Sequence, residues 1–173
     1  MNKNKTTKSA KRIAFSGVMG ALLVVGKFAL SFIPNVEVVT TLLVSFCFVF
    51  GFDGVIASLV FCTADVIIYP PSIDVIVSYY IYWNLMALTV AVMKELGVKK
   101  FTPYFLTTVG FTVCFGALTS FMNSLFFGVP FVAVYLAGLY FYAIHLVSTA
   151  VFMLVGFKSI TTLLEKLKKQ SNI

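Results

Sequence analysis

The chain has 173 residues, 60% of them hydrophobic and 11% charged, with a mean hydropathy of +1.01 and a net charge of +7. A soluble domain carries about 25% charged residues, so no fold in water hides this much apolar surface, and the chain reads as an all-α polytopic membrane protein. The positive charge does not mark a nucleic-acid partner, because the basic residues sit at the ends and in one internal stretch, with no basic face interleaved with aromatics.

Residues 1–10 are polar and basic, and six apolar segments follow at about 11–33, 36–50, 54–68, 77–95, 104–127 and 131–157. All fit one bundle, so 1–173 is read as a single membrane domain: a basic tail (1–10), a six-helix bundle (11–157) and an amphipathic tail (158–173). The first segment is longer than a signal-peptide core and contains Lys27, so it is expected to stay as a membrane helix. A spanning helix needs about 20 residues, and the second and third segments fall short of that. The connections carry turn chemistry: Pro34-Asn35, Gly51 to Gly54, Tyr69 to Asp74, Leu96 to Pro103 and Gly128 to Pro130. Asp53, in its Gly-flanked turn, is expected to cap the third helix. In the last stretch, Ile160, Leu163, Leu164 and Leu167 recur at helical spacing opposite Lys166 and Lys169, as in a helix lying along or leaving the inner interface.

Orientation follows from the cations. With six spans and both termini in the cytoplasm, every Lys and Arg except Lys27 lies at the inner side. Lys27 comes 14 residues after Ile13, about 21 Å along the helix, and so belongs to the outer half.

The interruption at Leu30–Thr41 stands out. A cation (Lys27), a helix-stopping proline (Pro34), an amide (Asn35) and a carboxylate (Glu37) crowd together where the run should be apolar, and charges at membrane depth are expensive and usually functional. Other segments send unusual residues to the same level. These are Asp65, the Tyr79–Asn84 cluster with Tyr80, Trp83 and Asn84, and Asn123 with Ser124; Tyr142 and His145 lie deeper. Asp74 is expected in the outer loop as a solvated residue. Aromatics that stack on a flat ring, and a few charges that fix its polar substituents, suit a small-molecule cup open to the outside. Lys27, Asn35, Glu37, Tyr80, Trp83, Asn84, Asn123, Tyr142 and His145 are the candidate substrate-binding residues. Each has a plainer role open to it: an aromatic belt for the tyrosines and Trp83, interhelical hydrogen bonds for the asparagines, and a structural pair with Glu37 or Asp65 for Lys27. Whether Glu37 meets a ligand or only neutralises Lys27 stays open.

Near the start, Ala10, Ala14, Gly17 and Ala21 share one helix face. Such a small-residue stripe lets another helix approach closely, either within this chain or on a separate subunit. Cys47, Cys62 and Cys114 lie in apolar segments without CxxC or metal-ligand spacing, and no cofactor is expected. There is no Walker motif, and no nucleophile–base–orienter set is recognisable by spacing. The chain is therefore not expected to be an enzyme; a small intramembrane hydrolase is the remote alternative.

These features resemble the substrate-capture (S) component of an energy-coupling factor (ECF) transporter. The resemblance rests on size, six helices, basic cytoplasmic ends, the Ala10-x-x-x-Ala14 stripe continued by Gly17-x-x-x-Ala21, and the stretches Phe32–Thr40 and Tyr79–Asn84, which look like segments of a poorly characterised branch. It implies a prokaryotic plasma-membrane protein with its site on the outer side, formed by the first loop and helices four to six. It also implies a vitamin or vitamin-precursor ligand, docking through the stripe to a transmembrane coupling subunit, and two ATP-binding subunits that hydrolyse ATP. A stand-alone secondary transporter or a structural membrane protein is the alternative.

Overall fold

The structure, a computed structural model, describes residues 3–34 and 36–171, with side chains from residue 9 onward. Within them the chain forms six helices: α1 (Lys3–Ala29), α2 (Val39–Phe50), α3 (Asp53–Ile68), α4 (Ile73–Glu95), α5 (Phe101–Phe127) and α6 (Phe131–Ser171). There is no strand among the described residues. Four stretches are long and apolar enough to cross a membrane: Ser9–Ala29 of α1, and the whole of α4, α5 and α6. Their outward faces are aliphatic, with Val147 62% and Val155 76% exposed, a surface that belongs in lipid rather than water.

The short second helix is the centre of the bundle. At 12 residues it spans about 18 Å, well under the roughly 30 Å of a bilayer core. It meets all five other helices, and only Leu42 and Phe48 escape burial. A segment wrapped this way need not match the bilayer, because its ends face protein. Around it, α1 packs on α3, α3 on α4, α4 on α5 and α5 on α6.

Close backbone approach sets the spacing where glycine is required. A methyl group on Gly20 of α1 would collide with Val60 and the Ala57 carbonyl of α3. One on Gly54 of α3 would collide with Cys47 of α2. Between these helices Gly51 turns the chain at φ +64°, a backbone that favours glycine.

Several boundaries differ from the sequence reading. Residues 3–10, expected as a tail, continue α1, whereas 158–171 continue α6 as the helical spacing of Ile160, Leu163, Leu164 and Leu167 leads one to expect. At 41 residues α6 runs about 62 Å, and Lys168 folds back so that its Nζ donates to the Val49 carbonyl near the end of α2 at 2.8 Å. Helix α4 begins four residues early, at Ile73 rather than 77. Asp74 is consequently not a solvated loop residue. It lies in the first turn, 5% exposed, accepting a hydrogen bond from Asn123 of α5 at 2.9 Å; an acidic residue there also suits the helix dipole. Asp53 makes no side-chain cap. Its carboxylate instead takes a fork from Arg12 of α1, Nε to Oδ2 and Nη2 to Oδ1, each 2.9 Å, a geometry that holds both groups in plane.

Candidate functional site

The contacts of α1 with α3 put Arg12–Asp53 at one end of the bundle and Lys27–Asp65 towards the other. At the Lys27 end, the α1–α2 connection and the α3–α4 connection close over α4, α5 and α6. Between them is a cavity of about 370 Å³, within the size range of small-molecule sites.

One wall is made by Leu30, Ser31, Ile33, Pro34 and Val36, where the Ile33 N–H donates to the Leu30 carbonyl and the Val36 N–H to the Ile33 carbonyl. Tyr69 and Pro71 line the cavity from the α3–α4 connection. Phe28, Tyr79, Trp83 and Phe115 add aromatic surface, and Lys27, Glu37 and His145 bring the charged and titratable groups.

These groups form two separate pairs. Lys27 Nζ lies 2.7 Å from Asp65 Oδ2 on α3 and 4.7 Å from the Tyr79 ring centroid. Asp65 is fully buried, and its other oxygen has no partner among the described residues. Glu37 makes the other pair, its Oε1 3.0 Å from His145 Nε2 and accepting from the Thr40 hydroxyl. Neighbouring rings hold the imidazole in turn: Phe115 stands edge-on at 4.9 Å and Tyr82 at 6.3 Å. Glu37 therefore does not neutralise Lys27; the two belong to different pairs.

Trp83 lines the cavity but is wedged. Phe61 and Tyr82 meet it edge-on at 5.5 and 4.8 Å, and its Nε1 has no partner among the described residues. A ring held in this way is a rigid wall with an unused donor.

Of the nine candidate substrate-binding residues, Lys27, Glu37, Trp83 and His145 meet at this cavity. Asn35 lies outside the described residues. The other four point their polar atoms elsewhere. The Tyr80 hydroxyl pairs with Thr63 of α3 at 2.8 Å, and Asn84 donates to the Tyr80 carbonyl one turn back in its own helix at 2.8 Å. Asn123 donates to Asp74. Tyr142 fills the seam where α5 and α6 approach at Gly116 and Gly138, and pairs with Ser120 at 3.0 Å. Their positions correct the expectation that all nine line one cup.

Helical geometry explains the split on α4. Tyr79 and Trp83 are one turn apart and share a face, while Tyr80 and Asn84 share the neighbouring face. The spacing was visible in sequence, but this helix is apolar all round, so nothing said which face turns inward. Phe28 and Phe115 carry no signal of their own, being apolar rings in apolar segments, and Tyr69 and Pro71 read from sequence only as part of a turn.

The small-residue stripe is left open. Ala10, Ala14 and Ala21 are exposed, and a methyl group on Gly17 would meet nothing within 4 Å. Packing against α3 and α2 uses the adjoining face of α1, with Ser16, Met19, Gly20 and Leu23 buried.

Among the described residues no group of three or more His, Cys, Asp or Glu is placed to hold a metal ion. Compared with models of protein families, with curated proteins and with solved structures, the chain matches none.

Proposed function

We propose that this chain is the substrate-capture subunit of an ATP-driven importer of the ECF type, lying in a prokaryotic plasma membrane with six spans and both termini in the cytoplasm. It takes a small vitamin-like molecule from outside. The observation that carries this reading is the aromatic cavity with its Lys27–Asp65 ion pair and its Glu37–His145 hydrogen bond, at the end of the bundle away from the lysine-rich helix termini. Outer placement follows from the cation distribution, because only Lys27 lies on the cavity side. Ligand enters between the two connections, and the bundle beneath them, sealed by α2, blocks passage through this chain alone. Transport then requires partners. The open Ala10–Ala14–Gly17–Ala21 face of α1 is where a transmembrane coupling subunit docks, with two ATP-binding subunits beneath.

The test is direct, because Trp83 is the sole tryptophan and lines the cavity, so its fluorescence reports occupancy. Purified protein is titrated with a panel of vitamins and their precursors. One of them shifts the emission at micromolar concentration, and Gly17→Leu removes co-purifying coupling and ATP-binding subunits without changing that titration. A panel that leaves Trp83 silent sinks the capture reading.

A second reading, a stand-alone secondary transporter, draws on Lys27–Asp65, since ion pairs inside membranes also mark transport pathways. Proteoliposomes containing this chain alone decide between the two. Uptake driven by an ion gradient without ATP supports the carrier.

A further inference from the structure

The cavity's charge balance restricts what it can hold. Resting on the capture reading above, we propose that the ligand is a flat aromatic cation, recognised by Glu37 and by the surrounding rings.

Lys27 at first invites the opposite conclusion, an anionic ligand. Its charge, however, is already committed. Asp65 is fully buried and lies 2.7 Å from the ammonium. A buried carboxylate stripped of its counterion is strongly unfavourable, so Lys27 cannot turn to a ligand carboxylate without stranding Asp65. The pair is neutral as a unit. What Lys27 still offers is a hydrogen-bond donor, since an ammonium has three and Asp65 Oδ2 takes one.

Glu37 differs in the hardness of its commitment. Its side chain is 17% exposed against 0% for Asp65, it lines the cavity itself, and its partner is a histidine that can be neutral. A cationic ligand can take up the partly exposed Glu37 carboxylate while Lys27 keeps Asp65, so no fixed charge is stranded on either side. An anionic ligand has no such option, because among the described residues Lys27 is the one Lys or Arg lining the cavity and it is held by Asp65.

The rest of the lining agrees. Phe28, Tyr69, Tyr79, Trp83 and Phe115 bring five aromatic side chains to a volume of about 370 Å³. Ring faces attract cations, most strongly when water is excluded. Lys27, which also lines the cavity, keeps a donor for an acceptor on the ligand. A flat ring with one positive charge suits Glu37 and the surrounding rings.

The experiment uses three probes of one shape and different charge: 1-methylquinolinium, quinoline and quinoline-3-carboxylate. Each is titrated into the purified full chain with Trp83 fluorescence as readout. The cation binds at least tenfold more tightly than the other two. Glu37→Gln brings it to the level of neutral quinoline without changing quinoline itself. Glu37→Asp, which keeps the charge if Gln should disturb folding, preserves the preference for the cation. Equal affinities, tighter binding of the carboxylate, or no binding of any probe overturns the proposal. The first two of these outcomes, or a neutral or anionic vitamin found in the broader panel, leave the capture reading standing. Cation binding by a chain that recruits no coupling or ATP-binding subunit would instead keep the cation site and remove the importer.

Discussion

Removing either member of the Lys27–Asp65 pair destabilises the bundle, and the two losses are unequal for a reason visible in the burial. Lys27→Met leaves the Asp65 carboxylate at 0% exposure, with one oxygen already unpartnered. Stranding a buried charge in this way costs about 3–5 kcal/mol. Asp65→Asn leaves the ammonium instead, but the Lys27 side chain is 28% exposed and lines the cavity. It can turn to water there, and the amide oxygen still accepts a hydrogen bond, so the loss is about 1–3 kcal/mol. For a chain of this size each kcal/mol moves the midpoint by about 2–4 °C, which gives about 6–20 °C for Lys27→Met and about 2–12 °C for Asp65→Asn. The double variant Lys27→Met/Asp65→Leu removes both charges and returns to within about 1 kcal/mol of the parent or above it, as buried pairs replaced by apolar side chains commonly do. Thermal unfolding of the parent, Lys27→Met, Asp65→Asn, Asp65→Leu and Lys27→Met/Asp65→Leu in one detergent, with monodispersity checked by gel filtration, closes the cycle between the Met and Leu variants. A larger loss for Asp65→Asn than for Lys27→Met, or single losses that simply add in the double variant, would refute the reasoning.

Other perturbations separate packing from binding. Gly20→Leu forces a side chain into Val60 and the Ala57 carbonyl and is expected to abolish monodisperse protein. Gly17→Leu, three residues away with open space around it, leaves the midpoint within about 0.5 kcal/mol of the parent, as surface changes usually do. Tyr142→Phe loses the Ser120 hydrogen bond, about 1 kcal/mol, and does not alter ligand titrations, because the seam it fills is separate from the cavity; a large change in ligand affinity would place Tyr142 at the site after all. Asn123→Ala leaves Asp74, 5% exposed, without its partner on α5. It lowers the midpoint through a loss of about 1–3 kcal/mol, and Asp74→Asn in the same background recovers part of it by removing the charge.

What could be read from the sequence follows the size of the physical penalty behind each signal. Apolar runs and turn residues marked the helices well, since a misplaced polar residue or an interrupted backbone is costly in every fold the chain might adopt. Boundaries failed where a helix carries on through polar residues. Asp74 looked like loop because it is charged and follows Pro70 and Pro71, yet its charge is what the first turn of α4 and Asn123 take up. Asp53 looked like a cap for the same local reason, and a residue 41 positions away took it instead.

The site shows the same division more sharply. Lys27, Glu37 and His145 were found because a titratable group in an apolar segment is anomalous wherever it faces. Their pairing is only half legible: the sequence offers Lys27 either Glu37 or Asp65, and it takes Asp65, 38 residues away, while nothing in the sequence joins Glu37 to His145, 108 residues away. The asparagines and tyrosines were overcounted, because interhelical hydrogen bonding and ligand binding call for the same residue types. Only the direction in which each helix faces separates them, and α4, apolar on every side, encodes that direction in its neighbours rather than in itself. The order of burial then carries functional weight that residue type alone cannot. Of two carboxylates near one cavity, the fully enclosed Asp65 is bound to its counterion, and the partly open Glu37, held by a partner able to release it, is the one free to change partners.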